Sequence, residues 1–202
     1  MTFDAIYGVD FSGAKLAGKN TWVAKIEPIP KRRRRPYYIL TGLWSLEKLC
    51  GIGECTSALA YLVEMILNSR QALWALDFPF GLPIEVIASK TKWADQLDLL
   101  RNWKGDGYGF GVSCLRKAQA RGGPNHIRRL TDLEEKAPFD PYHYRIIYQT
   151  FHGMRDVLGP LRRKNRTAIL PFHYRRLPTA QRVVVEACPA STLKRLGLPH
   201  QN

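Results

Sequence analysis

Three short apolar runs in this chain each end in a single carboxylate. Ala5-Ile6-Tyr7-Gly8-Val9 is closed by Asp10, Ala72 to Leu76 by Asp77, and Arg182-Val183-Val184-Val185 runs into Glu186. Compact runs of this kind, bounded by turn signals and carrying β-branched and aromatic side chains, read as buried strands. In an open α/β sheet the carboxyl ends of the central strands border the crevice where ligands bind. Three acids at three such ends are therefore expected to converge. Clustered carboxylates repel one another unless a cation sits among them or a proton is shared, and hard oxygen ligands suit Mg²⁺ or Mn²⁺. Asp10, Asp77 and Glu186 are the candidate catalytic and metal-binding residues.

The rest of the chain supplies the frame for these strand ends. Thr21 to Ile26 alternates, Pro28, Pro30 and the basic run Lys31 to Arg35 form a polar turn, and Pro36 to Leu43 reads as another strand. Three sequential strands predict a meander. Residues 54–69 place apolar side chains at 59, 62, 63, 66 and 67, a helical stripe. Residues 84–170 are helix-rich by pattern, with glycine-rich breaks at 105–111 and 122–124, and Tyr144 to Leu158 is the most periodic stretch. They predict a helical insertion before the last strand. Trp93, Trp103, Tyr108, Phe110, Tyr142, Tyr144 and Tyr148, all in this stretch, are expected to pack rather than stack on bases. Pro189 to Leu193 then opens a final helix, and a length of 202 residues fits one domain, residues 1–202.

Charge narrows the choice of partner. The chain carries 31 Lys+Arg against 17 Asp+Glu, a net +14. Residues 1–100 hold 12 basic and 10 acidic side chains, residues 101–202 hold 19 and 7, so the excess sits in the second half. Such a field attracts polyanions: nucleic acid, acidic lipid headgroups or small phosphorylated ligands. Glu186 is the one acid from residue 157 onward, which sets it apart from its arginine-rich surroundings. No apolar run approaches the roughly 18 residues of a membrane span, and Cys50, Cys55, Cys114 and Cys188 match neither zinc-site nor disulfide-framework spacing. A soluble cytoplasmic protein with free thiols is expected, and nothing in the sequence points to a protein partner.

Competing motifs fail on chemistry. Gly8 to Lys15 has the glycine spacing of a phosphate loop but lacks the Lys-Ser/Thr pair, and Asp10 would face the phosphates. The five histidines show no zinc-site spacing, and Ser12 and Ser113 have no histidine partner that spacing supports.

Taken in order, Tyr7-Gly8-Val9-Asp10-Phe11-Ser12-Gly13-Ala14, Ala75-Leu76-Asp77-Phe78-Pro79-Phe80-Gly81-Leu82-Pro83 and Val185-Glu186-Ala187-Cys188-Pro189-Ala190-Ser191-Thr192 resemble the family catalogued as domain of unknown function 429, described as predicted RNase H-like nucleases. The stretch from Arg128-Arg129-Leu130-Thr131-Asp132 through Gln149-Thr150-Phe151-His152-Gly153-Met154 resembles its helical segment. The resemblance implies an α/β RNase H-like fold: a five-stranded mixed sheet, three antiparallel strands and then parallel additions, flanked by helices. It also implies Asp10 and Asp77 as metal ligands with Glu186 as the third, and phosphodiester hydrolysis of DNA or RNA. RNase H-like nucleases commonly draw a further ligand from a C-terminal helix, and the sequence stops ten residues beyond Thr192, so the expectation is either a truncated helix or a site that works with three acids. Lys15 and Arg129 are the candidate phosphate contacts. Two alternatives stay open: an ATP-dependent phosphotransferase of the same superfamily, and a nucleic-acid-binding protein without chemistry.

Overall fold

β1 (Ala5–Asp10) forms because Ala5 and Val9 are buried while the strand is extended by ladder bonds on both edges. A computed structural model describes residues 2–29, 37–88 and 90–199. On one side β1 pairs antiparallel with β2 (Trp22–Pro28), which pairs antiparallel with β3 (Tyr38–Ser45), with a bulge between Lys25 and Ile26. This is the expected meander. The basic turn Lys31 to Arg35 lies outside the described residues. On its other side β1 pairs parallel with β4 (Ala72–Leu76).

β5 (Thr167–Ile169) and β6 (Arg182–Glu186) complete the sheet, both parallel, in the order β3-β2-β1-β4-β6-β5. The sheet is thus mixed and six-stranded rather than five-stranded. The additional strand, β5, falls inside the stretch expected to be helical. Three residues hardly complete one alternation, so period carries no signal there; all three are buried, and Ala168 packs with Ala180 and Val183.

The chain divides into two compact units, Met1–Asp77 with Asp156–Glu186, and Phe78–Arg155 with Ala187–Asn202. The first holds all six strands. Its helices are α1 (Ala17–Asn20), α2 (Leu46–Cys50) and α3 (Cys55–Asn68). The stripe on α3 buries Leu59, Leu62, Val63 and Ile66, each at 6% exposure or less. Glu54 caps it, accepting from the Thr56 and Ser57 amides at 2.8 and 2.9 Å, which pulls its carboxyl down to about 2. Trp74 of β4 stacks on Tyr7 of β1 with ring centroids 3.9 Å apart and donates its indole N–H to Ser69 Oγ.

The second unit is helical: a 3₁₀ turn at Ile84–Val86, then α4 (Trp93–Arg101), α5 (Gly107–Ala120), α6 (Leu130–Glu134) and α7 (Ile147–His152), with the helix Pro189–Arg195 at the end. α7 begins later than the periodic stretch from Tyr144 suggested and passes into a π-helical segment, Gly153–Leu158. Phe110 of α5 meets Phe151 of α7 and, edge-on, Trp103. Phe110 and Tyr142 are buried as expected, whereas Tyr108 and Tyr144 are 58% and 65% exposed. Trp93 Nε1 donates to the Phe80 carbonyl and the Leu82 amide to Gln96 Oε1, so these polar side chains fasten the Phe78–Pro83 loop to α4. Among the described residues no helix is long and apolar enough to cross a membrane.

Candidate carboxylate site

Parallel pairing puts the ends of β1 and β4 side by side. Val9 pairs with Leu76, and the Asp77 amide donates to the Val9 carbonyl at 3.0 Å, carrying the ladder one residue past β4. Asp10 and Asp77 therefore occupy neighbouring positions, and the alternation of side chains along a strand gives them the same face of the sheet. Glu186 closes β6, the next strand across, but pairs with Leu76 rather than Asp77. By the same alternation it belongs to the Leu76 face. The three acids share one end of three adjacent strands, with two on one side and one on the other.

Electrostatics ties them together. Burial pushes the Asp77 carboxyl up to about 7, and the negative charges of Asp10 and Glu186 add to the rise. Burial also raises Asp10. Among the described residues neither aspartate side chain accepts a hydrogen bond or faces a basic partner. The turn after Asp10 is held by other atoms: the Ser12 amide donates to Thr21 Oγ1 at 3.1 Å, and Thr21 is fully buried.

An exposed and a half-buried carboxylate, adjacent and without cations, fit a hard divalent ion, because Mg²⁺ is commonly held by one or two carboxylates together with water and substrate phosphates. A cage of three protein ligands is a different matter. Among the described residues no three His, Cys, Asp or Glu side chains are grouped to hold one ion.

The two candidate phosphate contacts differ in character. Lys15 is exposed in the turn before α1, where its carbonyl accepts from the Cys55 amide. Arg129 belongs to the helical unit, and its guanidinium grips Asp132 in a bidentate pair, Nη2 to Oδ1 at 2.6 Å, at the start of α6. That side chain has an intramolecular anion already. Spacing also gave no sign of a pairing inside the helical unit, where His126 Nδ1 lies 2.8 Å from Oδ2 of Asp140, which is 2% exposed. The fourteen-residue separation follows no local period. In the same unit Cys114 is 2% exposed, and that burial pushes its thiol up to about 12. Compared with known protein families, curated proteins and solved structures, the chain matches none.

Proposed function

We propose that the chain is a divalent-metal-dependent phosphodiesterase acting on DNA or RNA, built on an RNase H-like sheet. The carrying observation is the Asp10–Asp77 pair at the carboxyl ends of adjacent parallel strands, without cationic partners among the described residues, in a chain of net charge +14. The strand order supports the same reading, since an antiparallel β1–β2–β3 meander followed by parallel β4 and β6 beside β1 is the RNase H-like plan, with β5 added at the edge.

Asp10 and Asp77 would hold Mg²⁺ or Mn²⁺; a bound ion of this kind supplies a nucleophilic water at neutral pH and stabilises charge developing on phosphate oxygens. Asp77 contributes by remaining partly protonated near neutrality, so that it releases its proton when a cation arrives. Glu186, across the sheet, strengthens the negative field at Asp77 and is the closest candidate for a further ligand. Lys15, exposed five residues after Asp10, would contact a phosphate of the substrate in this reading.

The test is cleavage of a panel of single- and double-stranded DNA and RNA with Mg²⁺ or Mn²⁺. Asp10→Asn and Asp77→Asn should each reduce metal-dependent cleavage by at least about a hundredfold, and unchanged cleavage would overturn the reading. A second reading, nucleic-acid binding without hydrolysis, draws on the lack of a three-residue ligand group among the described residues. It predicts binding in EDTA that survives all three acid substitutions, with no cleavage by the unaltered chain.

A further inference from the structure

The other end of the same strands carries the opposite charge. Arg70 precedes β4, Arg182 opens β6 and Arg166 precedes β5, so the arginines follow one another across the order β4-β6-β5. They feel one another: Arg182 is lowered by burial and then by the charges of Arg166 and Arg70. Residues 157–185 contain seven Lys and Arg and no acid. Four exposed cations, Arg163, Lys164, Arg166 and Arg175, have no carboxylate partner among the described residues.

These cations are held in place rather than scattered along a loose loop. After β5 the chain doubles back as Pro171–Thr179, whose His173 amide donates to the Ile169 carbonyl at 2.7 Å. Arg176 Nη1 then donates to the carbonyls of Arg162, Lys164 and Thr167 at 2.9, 3.5 and 3.5 Å. One half-buried guanidinium thus pins the returning strap to the loop that presents Arg163–Arg166. Between the basic positions the strap exposes two aromatic rings, Phe172 at 41% and Tyr174 at 71%.

We propose that this outer edge of the sheet, formed by Arg163, Lys164, Arg166, Tyr174 and Arg175, is a binding surface for single-stranded nucleic acid, separate from the carboxylate pair. Arginine predominates, and its planar fork matches phosphate oxygens bidentately. Exposed aromatic rings interleaved with cations are the means by which unpaired bases are held without sequence preference. A lipid surface is the weaker fit, because interfacial binding needs an amphipathic helix with a broad apolar face, and the helical part of the strap is only the six-residue 3₁₀ turn Tyr174–Thr179. The loop Arg163–Arg166 stands at the amino end of β5, two strands across the sheet from β4, whereas Asp10 and Asp77 stand at the carboxyl ends of β1 and β4. It shares a polyanion with the function proposed above and needs none of that function's chemistry.

The experiment is fluorescence anisotropy of a labelled 20-mer of deoxythymidine in EDTA across a salt series, so that cleavage plays no part. The unaltered chain should bind with a strong salt dependence. The triple variant Arg163→Glu/Arg166→Glu/Arg175→Glu should lose at least about a hundredfold in affinity and flatten the salt slope by about two, the counterion release of three phosphate contacts on a single strand. Tyr174→Ala should weaken single-strand binding about tenfold and leave duplex binding unchanged. All the substituted side chains are exposed, and far-ultraviolet circular dichroism would confirm folding. Triple-variant binding within twofold of the unaltered chain overturns the proposal, as does binding to phosphatidylserine vesicles with none to the oligonucleotide. Loss of triple-variant binding together with no cleavage by the unaltered chain would uphold this surface and overturn the hydrolytic function alone.

Discussion

Asp77 gives the carboxylate pair its pH behaviour. In an unfolded chain its carboxyl ionises near 3.8, whereas in the fold it is raised to about 7 by burial, then by Asp10 and Glu186. Because the unfolded state releases the proton first, stability is unaffected below about pH 4, falls as pH rises towards 7, and stays reduced above it. Asp77→Asn should therefore melt higher than the unaltered chain at pH 8, by about 1–3 kcal/mol of unfolding free energy, and equally at pH 4. Denaturant titrations at the two pH values check this, and a variant less stable at pH 8 would mean that the carboxylate makes a favourable contact. The same proton couples to metal: apparent Mn²⁺ affinity should fall about tenfold per pH unit below 7, as expected when one proton must leave.

At the scale of elements, glycine contacts set narrow tolerances. Gly18 of α1 donates its amide to the Gly53 carbonyl at 3.1 Å, and a Cβ there would stand 2.1 Å from the Ile52 carbonyl oxygen and 2.9 Å from the Gly53 Cα. Both obstacles are backbone, so neither can swing aside. Gly18→Ala should destabilise by about 1–3 kcal/mol in urea titration, although alanine is the better helix former; a neutral result would show that the segment joining α2 to α3 shifts freely. The same helix shows where reading a sequence stops. α1 is only Ala17–Asn20, too short for a period, and it exists because its backbone docks on residues 52–53. β5 escaped for the same reason. By contrast the α3 stripe and the runs ending at Asp10, Asp77 and Glu186 carry their signal within one element, and the structure contains each as a helix or strand. The acids were legible as strand ends. Their distribution over two faces was not, because it depends on Glu186 pairing with Leu76, a register set by partners distant in sequence.

At the scale of the whole molecule, the net charge of +14 and the carboxylate pair should respond to different ions. Self-repulsion among the excess cations is long-range and is screened by any salt. Raising NaCl from about 20 to 500 mM should therefore raise Tm gradually, and somewhat more in Asp10→Asn/Asp77→Asn, which loses two carboxylates and so carries the larger cation excess. Metal at the aspartates acts instead by mass action, so its effect saturates. At about a hundred times its dissociation constant an ion bound only by the folded state contributes about 2.7 kcal/mol, which for a chain of this size corresponds to roughly 5–10 °C in Tm. With ionic strength held constant, Mn²⁺ should produce that rise in the unaltered chain and none in the double variant. An equal rise in both would place the ion away from Asp10 and Asp77, while a rise in neither would leave the negative charge at the ends of β1 and β4 without a cation to balance it.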